Sequence, residues 1–141
     1  SLVQKAYHQI QESGYIELFR SHRSDYRDGE QMRDFIYVRD AVDVTLHFAL
    51  ESKVGGLLNC GTGIARTWVH LAQALFAAMG RTPDIRFIPM PEILQGKYQY
   101  FTQADDAKLR RAGYAKTFTS LEDGVKDYVD CHLSKQGKIE Q

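Results

Sequence analysis

The feature that most constrains this fold is the stripe Trp68, Leu71, Ala72, Leu75 and Met79, which recurs at helical spacing between Thr67 and Gly80. A helix this apolar along one side must cover that side with another element. Thr67 is suited to open it and Gly80 to end it. Short partners lie on both sides in sequence. Tyr15 to Phe19 and Ile85 to Ile88 read as strands, and Phe35-Ile36-Tyr37-Val38 is a further β-rich run. Gly55-Gly56 marks a turn before the short apolar strand Leu57-Leu58-Asn59. Other helices are expected over residues 2–13, with Gly14 as the stop; from a cap near Asp40 to about Leu50; from a cap at Asp105 to Gly113; and over 121–133, with Ser120 and Asp123 as the capping pair. Residues 20–32 read as a polar loop, and 92–103 as irregular. This alternation predicts an α/β (α+β) small domain over 1–133, followed by a polar C-terminal tail over 134–141.

At 141 residues the chain suits one domain, which can bury roughly two-thirds of the surface its unfolded form exposes. Eighteen basic residues balance eighteen acidic ones, so no global field draws it to nucleic acid or an anionic membrane. No apolar run approaches the length of a bilayer span and no signal-peptide pattern opens the sequence, which makes a cytoplasmic location the expectation. Cys60 and Cys131 fit neither a metal motif nor a disulfide framework. Cys60 reads as a small buried residue and Cys131 as a helix residue, in a reducing compartment. Helical spacing begins almost at Ser1, consistent with a missing upstream piece or with a trimmed start.

Chemistry concentrates in Leu18-Phe19-Arg20-Ser21-His22-Arg23 and the following Gly29-Glu30-Gln31-Met32-Arg33. Guanidinium groups match phosphate oxygens two at a time; a loop arginine alone reads as a solvated charge, but Arg20 and Arg33 are taken together with Phe19, His22 and a later Lys97-Tyr98-Gln99-Tyr100 segment. Such a set can clasp a diphosphate and a sugar. Residues 20–39 carry five arginines against four acids, a balance that suits a few anchored phosphates and not a polyanion track. His22 reads equally as a ligand contact or a loop cap. Arg27, Arg39 and Lys97 read as solvated charges, and Trp68 as core. His47 and His70 lack a paired ligand at metal spacing. Asp105-Asp106 and Glu122-Asp123 suit helix starts. Asn59-Cys60-Gly61-Thr62-Gly63 sits where glycine loops cradle phosphate, but Arg66 takes the place of the third glycine, which favours a tight structural turn over a cofactor site. The sequence holds no Gly-x-Gly-x-x-Gly and no Tyr-x-x-x-Lys.

The segments Leu18 to Arg23, Asp28 to Gln31, Arg33 to Val38, Asn59 to Gly63, Gly96 to Thr102 and Ala112-Gly113-Tyr114 occur in this order in one known group. The chain resembles the C-terminal portion of the ADP-L-glycero-D-manno-heptose 6-epimerase family, of the extended short-chain dehydrogenase/reductase superfamily. The resemblance implies a C-terminal substrate-binding domain lacking the N-terminal Rossmann domain. It implies a full-length isomerase that inverts C6 of an ADP-heptose for lipopolysaccharide core synthesis, by oxidation and reduction through NADP. It places Phe19, Arg20, Ser21, His22, Arg33 and Tyr98 on the substrate. It assigns no catalytic, cofactor-binding or metal residue within this chain, which alone is expected to bind no cofactor and to be inactive. Lys5 departs from the family, which carries a substrate-facing histidine there. An amine can still reach an oxygen or phosphate, but without the geometry of an imidazole. Expected partners are an ADP-sugar, an upstream Rossmann domain or subunit, and further copies in a homo-oligomer. The alternative is a free-standing nucleotide-sugar binding module or a catalytically incomplete fragment that needs a separate Rossmann subunit.

Overall fold

The computed structural model of the protein describes residues 1–51 and 54–136. Helix α1 (Leu2–Ser13) begins at Ser1, whose hydroxyl accepts the Gln4 N–H, and stops at Gly14. It leads into strand β1 (Ile16–Phe19). After a long irregular segment comes β2 (Met32–Asp34), then α2 (Val38–Leu46), which runs on through a wider turn at His47–Glu51. Strand β3 (Ala65–Thr67) passes directly into α3 (Trp68–Ala78), followed by β4 (Ile85–Ile88). A 3-10 turn (Glu92–Leu94), the short α4 (Ala107–Arg111) and α5 (Leu121–Tyr128) complete the order. Helix α5 continues through Val129–Leu133 and Ser134–Gln136, so helical structure passes the 133/134 boundary. The tail beyond Gln136 lies outside the described residues.

The strands form two separate pairs. Strands β1 and β4 run parallel, Ile16 opposite Ile85 and Phe19 opposite Ile88. Strands β2 and β3 run antiparallel, Met32 opposite Thr67. An isolated parallel bridge from Met32 to Phe101 brings the 100–102 segment alongside β2.

The apolar stripe of α3 organises the main core. Leu75 and Phe76 are fully buried, and Leu71 and Ala72 nearly so. They meet Ala6, Tyr7 and Ile10 of α1, Ile16 of β1, and Val125, Val129 and Leu133 of the C-terminal helix. Each large side chain buried here contributes about 1.5–3 kcal/mol from removal of apolar surface. Thr67 closes the start of α3 as a capping box: its hydroxyl accepts the His70 N–H, and His70 Nδ1 accepts the Thr67 N–H. A smaller cluster joins Val44, Leu109 and Tyr114.

Four sequence expectations are corrected. The strand near Phe35 is Met32–Asp34, because Phe35 turns inward to pack edge-on against Trp68 at 5.0 Å and Tyr37 bonds to Asp127 before α2 begins. Leu57-Leu58-Asn59 is not a strand. No neighbouring strand pairs with it among the described residues, and a strand needs one. Asp40 does not cap α2; its carboxylate accepts the Thr119 N–H and hydroxyl instead. Cys60 is exposed, not buried.

One surface is left open. Val38, Val42, Leu46 and Leu50 recur every four residues along α2 and its extension, and are 62%, 52%, 49% and 77% exposed. Spacing of four places them along one flank of the helix.

Candidate functional site

The candidate site grows from the junction of β1, β2 and α3. Strand β1 ends at Phe19, and the chain is held to β4 by one more bond, from the Arg20 N–H to the Ile88 carbonyl at 2.8 Å. The segment from Arg20 to Gln31 then folds back on its own polar groups. Asp28 accepts the Ser21 N–H at 2.8 Å, and the Ser21 hydroxyl donates to the Arg23 carbonyl at 2.9 Å. Gly29 sits where a Cβ would lie 2.7 Å from the Phe87 ring and 2.8 Å from Val69, so only glycine lets the loop approach β4 and α3 this closely. Gln31 is buried, its Nε2 donating to the Phe19 carbonyl at 3.3 Å. The loop therefore re-enters the core before β2 starts.

A cavity of about 240 Å³ opens beside this junction, walled by Phe19, Tyr98, Trp68, Gln31, Lys5 and Gln9 among others. Its lining is largely apolar, with Lys5 exposed at the edge. The Arg33 guanidinium carbon lies 5.1 Å from the centre of the Tyr98 ring and 5.9 Å from that of Trp68, and Arg33 Nη1 donates to the Met32 carbonyl at 2.7 Å. Cation–π contact and hydrogen bond together hold the positive charge next to Tyr98.

Phe19 and Tyr98 thus line one cavity, with Arg33 stacked on Tyr98. Arg20 is exposed and directs its Nε to the Phe87 carbonyl at 3.4 Å; neither it nor Arg33 lines the cavity. Ser21 and His22 stand on the loop outside it, and the His22 N–H donates to the Tyr100 hydroxyl at 2.8 Å. From sequence Tyr100 counts only as part of the 97–100 segment, and Gln31 has no role of its own. The Tyr98 and Tyr100 rings meet at 5.5 Å, but the bond from His22 that ties Tyr100 to the loop joins segments 78 residues apart, and no local pattern marks it.

The Asn59 to Gly63 loop has a different occupant from phosphate. Asp34 Oδ1 accepts from the Thr62 N–H and hydroxyl, and Oδ2 accepts from the Gly63 N–H at 2.9 Å and the Ala104 N–H at 3.0 Å. Burial works to raise this carboxyl, but the Thr62 hydroxyl and the three backbone N–H groups outweigh it and hold the group below its ordinary value. Gly61 is required because a Cβ there would lie 2.5 Å from the Ala104 methyl and 2.8 Å from Asp34 Oδ2. The Thr62, Gly63 and Ile64 amides are already bound within the protein and are not offered to a dinucleotide pyrophosphate. Among the described residues no cluster of His, Cys, Asp and Glu is arranged to hold a metal ion, and no helix is long and apolar enough to cross a membrane.

The model of the NAD dependent epimerase/dehydratase family matches residues 1–61. An ADP-L-glycero-D-manno-heptose-6-epimerase of Nitratidesulfovibrio vulgaris is 53% identical over 134 residues, covering 95% of this chain and 42% of the relative. The crystal structure of the Helicobacter pylori ADP-L-glycero-D-manno-heptose-6-epimerase superposes with a TM-score of 0.72 at 24% identity, over 93% of this chain and 36% of that one. The UDP-glucuronic acid 4-epimerase of Bacillus cereus, in complex with UDP-glucuronic acid and NAD, superposes at 0.70 with 23% identity, over 93% and 40%. The chain thus shares its mixed α/β fold, with small sheets, with part of each of these two epimerase structures. Over most of its length the chain is homologous to the ADP-L-glycero-D-manno-heptose-6-epimerases, and it spans 42% of the length of the Nitratidesulfovibrio relative.

Proposed function

We propose that this chain is the C-terminal, substrate-binding part of a nucleotide-sugar epimerase that inverts C6 of an ADP-glycero-manno-heptose for lipopolysaccharide core synthesis. The observation that carries this reading is the pairing of Arg33 with Tyr98 at the rim of the cavity walled by Phe19. A held cation beside an aromatic wall can grip a phosphate and cover a sugar face together. Arg20, Ser21 and His22, on the loop above, supply further donors. NADP provides the hydride chemistry and is bound by a Rossmann domain or subunit, not by this chain. The open α2 flank is apolar surface for a partner to cover, and the homology supports the substrate class.

The test is calorimetric titration of the 141-residue chain with ADP-heptose. Binding is expected, and Arg33→Ala should weaken it by about 1.5–3 kcal/mol, the worth of a charge-assisted contact. The chain alone should not turn the sugar nucleotide over. No binding by the wild type, or equal binding by Arg33→Ala, would overturn the reading.

A further inference from the structure

We infer that Tyr100 is a positioning residue for nucleotide-sugar binding, joining two halves of the site that the fold otherwise leaves apart; this rests on the reading above. One half is Arg33 with Tyr98, anchored on β2 and the cavity wall. The other is Arg20, Ser21 and His22, on a loop whose remaining ties are largely internal. Tyr100 touches both. Its ring packs edge-on against Tyr98, with centroids 5.5 Å apart, and its hydroxyl accepts the His22 N–H at 2.8 Å.

Tyr100 is itself well anchored. It is 9% exposed, and its carbonyl accepts the Met32 N–H at 2.8 Å, so its backbone moves with β2. Tyr26 packs on its ring at 5.2 Å, and the Arg23 guanidinium lies 5.2 Å from its centre. The ring therefore has little freedom, and the hydroxyl is a fixed post to which the ligand loop is tied. A buried hydroxyl accepting a main-chain N–H sets where the loop backbone runs, and so where the neighbouring side chains start. Tyr100 touches no ligand in this scheme; it acts through His22 and Tyr98.

Tyr100→Phe deletes the hydroxyl and keeps the ring. Calorimetry with ADP-glucose as probe should show binding by Tyr100→Phe weakened about three- to tenfold, as expected for one lost hydrogen bond. Tyr26→Phe should bind like the wild type. In ¹⁵N–¹H spectra of the free protein the His22 amide should move upfield in Tyr100→Phe, while amides of α3 and β4 stay in place. Wild-type binding that Tyr100→Phe leaves intact, or an unmoved His22 amide, overturns the inference and leaves the functional reading standing. Failure of the wild type to bind ADP-glucose and ADP-heptose alike removes the functional reading and this inference with it.

Discussion

Replacing Asp34 by Asn should destabilise the protein by about 3 kcal/mol. The carboxylate has both oxygens fully engaged, two donors converging on each: the Thr62 N–H and hydroxyl on one, the Gly63 and Ala104 N–H groups on the other. The amide of Asn is nearly the same shape but offers a single acceptor oxygen. In either orientation its NH₂ faces two donors, so two hydrogen bonds are lost and replaced by donor–donor repulsion, while the two that remain lose their charge. Hydrogen bonds to a charged group contribute about 1.5–3 kcal/mol each. Taking the lower value for this partly exposed site and counting only the two lost bonds gives about 3 kcal/mol, or a melting temperature lower by about 10 °C for a domain of this size. The sign of the pH dependence follows from the same bonds. The folded carboxyl lies below its ordinary value of 3.8, so its contribution is complete above pH 3.8 and disappears as pH falls through the depressed folded value. Thermal melts followed by circular dichroism at neutral pH, and again on acidification, measure both effects. A variant melting within about 2 °C of wild type at neutral pH, against the ~10 °C reasoned here, would refute the assignment of Asp34 as the fastening of this loop. So would a gap between the two proteins that stays constant as the pH falls below that range.

Three further outcomes are expected. Gly61→Ala should cost about 1–3 kcal/mol by urea denaturation, since the added methyl meets the Ala104 side chain and Asp34 inside contact distance. In alkaline solution, Tyr37 and Tyr114 are both raised to about 12, in each case by burial first and then by a carboxylate, Asp127 for the one and Asp43 for the other. Their stabilising contribution is present below pH 10 and is lost as pH rises through about 12, so Tyr37→Phe should flatten the fall in urea midpoint over that interval. Finally, the open flank of α2 should drive self-association of the isolated chain, and the double variant Val42→Lys, Leu46→Lys should shift sedimentation towards the monomer.

What the sequence reveals and what it hides follow a physical division. The α3 stripe, the Thr67 and Ser120 caps and the Gly14 stop are local: each depends on residues a turn or less away, and each is where periodicity and capping chemistry put it, while the strands ending at Phe19 and Ile88 match their β-rich composition because each finds the other as partner. The misplaced strands fail because pairing is not local. Phe35 to Val38 and Leu57 to Asn59 have the composition of strands, but an unpaired run does not become one, and partners cannot be read from propensity. The same holds at the site. Phe19, Arg33 and Tyr98 stand out by residue type, and the Asn59 to Gly63 loop is legible as a turn. Asp34 as its fastening, and Tyr100 as the link to His22, depend on contacts between segments distant in sequence. No spacing within the chain announces them.

The parallel pairing of Ile16–Phe19 with Ile85–Ile88 bears on how the polypeptide is made. During synthesis the first of these strands leaves the ribosome long before its neighbour is translated, and in the interval it is an uncovered edge with main-chain donors and acceptors unsatisfied. Closure over so long an intervening stretch is slow and entropically costly. Nascent chains halted before residue 85 should accordingly be the species that chaperones retain and that aggregate on release, whereas chains extended beyond residue 88 can complete the pair.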